Sequence, residues 1–94
     1  MGYYVLLLNT IVMKELKELQ EKYFKKEGVI AFRLWAFVTM TLELYDDPVE
    51  EKVEMLYGKV IDFYDSIWME TKATDEERKD IQKIIDVLTF LRIK

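Results

Sequence analysis

Residues 48–71, PVEEKVEMLYGKVIDFYDSIWMET, decide the fold class. Val49, Val53, Leu56, Val60, Phe63 and Ile67 alternate spacings of four and three, the repeat that lays apolar side chains along one seam of a helical bundle. A second row, Tyr57, Ile61, Tyr64 and Trp68, runs beside the first. Together they span an apolar sector of roughly 160°, where an ordinary surface helix needs about 100°. Glu51, Glu54, Gly58, Asp62 and Asp65 fall on the opposite side.

Moving outward, the breaks are few. Asp46-Asp47-Pro48 precedes this stretch, with Asp47 placed to be an N-cap, Pro48 the first helical residue and Glu50 the reciprocal partner. Thr74-Asp75-Glu76-Glu77 follows it and reads as a second capping box, with acids where the helix dipole favours them. Lys25-Lys26-Glu27-Gly28 reads as a helix ending in cations and a left-handed glycine. Three breaks define four helices, at about 3–26, 29–45, 48–71 and 75–92. Short connections favour antiparallel neighbours, so the expected fold is all-α, a single-domain, compact, up-down-up-down four-helix bundle.

The remaining helices fit that plan. Val12, Leu16, Leu19 and Tyr23 share one face of the first, and Val5 and Leu8 extend the stripe backward. The alternative for Tyr3–Leu8, a short strand, would have no partner within the chain and would pair across a dimer. The second helix is apolar nearly all round, as expected at a bundle centre or inside an interface. Its polar residues Arg33, Thr39 and Glu43 lie loosely to one side. The fourth buries Ile81, Ile84, Ile85, Leu88 and Leu91.

Composition bounds the chemistry. The 94 residues are 51% apolar and 14% aromatic, rich for a chain that buries only about 60–65% of its unfolded surface. A second copy closing the surplus is the expected solution, with Trp35, Tyr57, Ile61, Tyr64 and Trp68 as its interface, because Trp and Tyr are favoured anchors. Cysteine and histidine are absent, which removes disulfides, thiolate nucleophiles, Cys/His metal sites and imidazole bases. The same absence excludes the His-dependent chemistry of helical RNases of the HEPN class, and leaves Ser66 without a customary activating base. No cofactor is expected. Absent disulfides fit a cytoplasmic setting. One Ser, one Asn and two Gln lean toward a heat-loving source, archaeal or viral. Tyr3–Leu8 lacks the basic flank and cleavage site of a signal peptide, and the apolar run from Val29 to Tyr45 is too short and too charged to span a membrane.

The net charge of −4 is unevenly spread. Residues 46–72 hold eight acids against three Lys, while the rest of the chain is close to balanced. The cations of the first helix alternate with Glu15, Glu18, Glu21 and Glu27 as intrahelical pairs, so nucleic-acid binding through clustered cations is not expected. The acidic face of Glu51, Glu54, Asp62 and Asp65 could instead mimic a phosphate backbone toward a basic protein partner.

Two acidic patterns resemble known metal motifs. Asp46-Asp47-Pro48-Val49-Glu50 resembles the aspartate-rich motif of prenyl-chain and terpene synthases, but those enzymes set two such clusters across a deep cavity, and this chain has one. Glu51-x-x-Glu54 with Glu77-x-x-Asp80 is similar to the magnesium signature of the all-α nucleotide pyrophosphohydrolases. In an antiparallel pair, however, Glu54 lies about 27 Å along its helix from the turn beside Glu77. Only a head-to-tail dimer would reunite the four carboxylates. The expected function is therefore a non-enzymatic, self-associating interaction bundle, with a magnesium-dependent nucleotide hydrolase assembled across a dimer, or weak nucleic-acid binding through the Lys-bearing first helix, as the rivals.

Overall fold

All the periodic stretches fold as helix. The computed structural model describes residues 2–93, with side chains from Thr10 onward, and contains no strand among them. Five helices follow one another: α1 Gly2–Phe24, α2 Val29–Asp46, α3 Glu50–Tyr64, α4 Ile67–Thr71 and α5 Asp75–Ile93. Four are substantial, and α4 is a single short turn of chain between α3 and α5.

Residues 3–8 continue α1 as helix, so no exchanged strand is needed there. Leu16, Leu19 and Tyr23 are buried and Val12 packs against them; Val5 and Leu8 lie outside the described side chains. The helix stops at Phe24, short of the expected 26. Gly28 has the positive φ anticipated, 114°, but with ψ of 166° it is extended rather than helical. That region is open essentially to glycine alone. Gly28 therefore serves the start of α2, its carbonyl accepting the Phe32 N–H at 3.0 Å, and does not cap α1.

The expected box at Asp47 does not form. Asp47 closes α2 instead, its N–H donating to the Glu43 carbonyl at 3.0 Å, and α3 begins at Glu50 after an extended Val49 with no side-chain cap. Pro48 bars the residue before it from helical conformation. Asp47 accordingly sits at φ −140°, ψ 82° and ends one helix without starting the next. Glu50 and Glu51 in the first turn of α3 still answer its dipole. The other box holds: Thr74 N–H donates to Glu77 at 2.8 Å and Glu77 N–H to the Thr74 hydroxyl at 3.1 Å.

The largest departure is within residues 48–71, which break after Tyr64. The Ser66 hydroxyl donates to the Phe63 carbonyl at 2.6 Å and accepts a long contact from Met69 N–H at 3.5 Å, so Ser66 caps a new helix. A local hydroxyl that offers the backbone an alternative partner is what ends helices at serine. The break changes the phase of the chain. Ile67, expected in the seam, is 69% exposed, and Met69 takes the core position at 1%.

The core runs the length of the molecule between α1, α2, α3 and α5, with Leu34, Val38, Val60, Ile81 and Leu88 at its driest points. Ile81, Ile84, Ile85, Leu88 and Leu91 are all buried, as their spacing predicts. Thr41 is enclosed as well and returns its hydroxyl to the Phe37 carbonyl at 2.7 Å. Helix ends meet in pairs: Arg92 near the end of α5 reaches Glu54 near the start of α3, and Lys22 near the end of α1 reaches Glu76 and Asp80 near the start of α5. The radius of gyration is 13.3 Å, close to the roughly 13 Å of a compact domain of about 100 residues. No described helix is long and apolar enough to cross a membrane.

Gly58 interrupts the outer face of α3 with open space around it. Gly58→Ala should therefore raise stability by about 0.5–1 kcal/mol through helix propensity alone. Chemical denaturation would check this, and a destabilised variant would mean that the outer face of α3 is covered.

Candidate interaction surface

The apolar row on the third helix divides. Tyr57, Ile61 and Tyr64 are half-buried against the chain's own core, and Arg92 stacks over the Tyr57 ring at 4.0 Å. Trp68 belongs to α4, out of step with that row; it remains exposed, with Lys72 at 4.5 Å over its ring. Trp35 is half-buried on α2, its nearest rings being Phe24 and Phe32 at 6.2 Å each.

The more open apolar surface lies on α2. This helix buries Ile30, Ala31, Leu34, Phe37, Val38, Thr41 and Leu44, which leaves a second face turned to solvent. That face carries Val29, Phe32, Ala36 and Met40, with Arg33 and Glu43 along it. Phe32 is 62% exposed, and Met55 of α3, beside Met40 across a shallow groove, is equally open. The near-uniform apolarity of α2 did not single out Phe32 or Met40, although Arg33 and Glu43 lie on the same outward side and were the signal available.

The acidic face is present and exposed at Glu51, Glu54, Asp62 and Asp65. Glu54 is held by Arg92 Nε at 2.8 Å; the other three have no ion-pair partner among the described residues. The carboxylates proposed for a magnesium site do not converge. Glu54 sits by Arg92, while Asp80 lies twelve residues earlier on α5, about 18 Å away along the helix. Among the described residues no three carboxylates gather as metal ligands would.

Asp80 has a different use, which the sequence did not disclose. It is 4% exposed and accepts from the Tyr23 hydroxyl at 2.5 Å and from Lys22 Nζ at 2.6 Å, while Lys22 also meets Glu76 at 2.8 Å. Burial, then the hydrogen bond and charge of Asp80, push the Tyr23 hydroxyl far above its usual range. Burial opposes the charge on Lys22, but its bonds to Asp80 and Glu76 prevail and raise it. Hydrogen bonding to Lys22 lowers Glu76. A neutral tyrosine, a fixed ammonium and a carboxylate engaged by both form a clamp between α1 and α5, with no free base. One signal was available: Asp80 stands four residues before Ile84 and eight before Leu88, on the buried stripe.

No family model matches this chain, and comparison with the curated proteins and with the solved structures found no match to either.

Proposed function

We propose that this chain is a non-enzymatic interaction protein, an antiparallel up-down-up-down bundle that works as a homodimer. The observation that carries the reading is the outer face of α2, where Val29, Phe32 and Met40 stand in water beside Met55 and Phe24. Isolated exposed apolar side chains are ordinary, but a contiguous group on one side of a small domain marks a contact surface. The ion pairs that join opposite helix ends support the antiparallel arrangement. Trp68 contributes at the margin, while Tyr57, Ile61 and Tyr64 are largely engaged by their own core. The acidic stripe of α3 is the second surface on offer, since Glu51, Asp62 and Asp65 face solvent and could meet a basic partner.

Sedimentation velocity over about 1–100 μM, in the micromolar range usual for weak to moderate complexes, tests self-association. The expected result is twice the chain mass at the upper end, with Phe32→Glu sedimenting as a helical monomer. A wild-type chain that stays monomeric throughout would defeat the reading.

A further inference from the structure

The outer stripe of α2, exposed except at the half-buried Ala36, has the spacing of a coiled-coil seam. Val29, Arg33, Ala36, Met40 and Glu43 follow one another at intervals of four, three, four and three. They are distinct from the residues α2 gives to its own core, so this is a second seam on the same helix. Its composition is self-complementary about a two-fold axis. When two copies of α2 cross antiparallel, position 33 of one stands opposite 43 of the other, and position 36 opposite 40. Arg33 then meets Glu43 twice, and the small Ala36 receives the large Met40 twice. In a parallel pair Arg33 would face Arg33 and Glu43 would face Glu43.

We propose that the occupant of this face is a second copy of the chain, docked α2 against α2 in antiparallel register with Arg33 of each protomer paired to Glu43 of its partner. The proposal rests on the self-association reading above and specifies its surface, orientation and register. Arg33 and Glu43 lie ten residues apart, about 15 Å along one helix, too far to pair within a chain. Neither has an ion-pair partner among the described residues. A C2 interface must be self-complementary, and this stripe satisfies that condition in both charge and size. A standard interface takes about 800 Å² from each partner. Against a chain surface of 6654 Å² that is about one-eighth, within reach of α2 flanked by Phe24 and Met55.

Charge exchange tests the register. R33E sets Glu against Glu at both contacts, and E43R sets Arg against Arg, so each variant alone should dimerise at least about ten-fold more weakly than wild type. Mixing the two restores both pairs in a heterodimer, and the double variant R33E/E43R restores them in a homodimer. General attraction does not account for recovery in the mixture, because the wild-type charge of −4 leaves both single variants acidic. A second readout uses the cysteine-free background: A36C mixed with M40C should form the crosslinked heterodimer under oxidation in preference to either homodimer. Wild-type dimers indifferent to the single exchanges, or not recovered by the mixture, would overturn the register while leaving self-association intact. Preferential A36C homodimers would point to parallel packing and overturn it too. A monomeric wild type would remove both readings.

Discussion

Leu34→Ala is expected to cost about 3–5 kcal/mol, among the largest losses from a single core truncation in this molecule. Leu34 is wholly enclosed, on the inner face of α2. The neighbours of α2 are whole helices, α1 on one side and α3 and α5 on the others. Walls of that kind do not collapse into a gap, so the cavity term adds to the lost transfer energy. A chain of this size has a total stability of about 5–14 kcal/mol. The variant should therefore unfold roughly 12–40 °C lower, at about 4–8 °C per kcal/mol for a domain of this length. Thermal melts followed by circular dichroism at 222 nm would measure it. A loss below about 1 kcal/mol, the lower range of core substitutions, would contradict the packing described.

Asp80→Ala is expected to follow at about 2–4 kcal/mol, for a different reason. Removing the carboxylate leaves the enclosed Tyr23 hydroxyl without its acceptor and reduces Lys22 to its contact with the exposed Glu76. The penalty is that of an orphaned buried donor, larger than the net worth of the bond itself. Tyr23→Phe discards the donor together with the bond and should cost less. Alkaline titration separates the parts. Tyr23 is raised in the folded chain, so its contribution is complete below the unfolded value of 10.0 and is lost as pH climbs above it. Lys22 is raised as well and acts in the same direction above 10.5. Stability should thus decline above about pH 10, and Tyr23→Phe should flatten the first part of that decline. Urea unfolding between pH 8 and 11 gives the answer, and an unchanged slope in Tyr23→Phe would refute the clamp.

The proposed contact face was legible only in part. The surplus of apolar residues was plain from composition, and α2 was marked as central or interfacial. The row Tyr57, Ile61, Tyr64 and Trp68 looks continuous in one dimension, whereas the open apolar side chains of α2 are Val29, Phe32 and Met40. The bend at Ser66 takes Trp68 out of line, and the core takes up most of the other three. In the sequence Asp80 stands out only as the last acid of the Glu77-x-x-Asp80 pattern. What distinguishes it is Tyr23, 57 residues distant in sequence.

Legible from the residues alone were helical periodicity, the Thr74–Glu77 cap, the positive φ at Gly28 and the inward side of α5. These are set by contacts within a turn or two of chain, where spacing and side-chain chemistry suffice. Packing between helices settled whether Ile67 or Met69 enters the core and which acid is enclosed. Each of those is a choice between locally similar alternatives, settled by the packing of helices far apart along the chain.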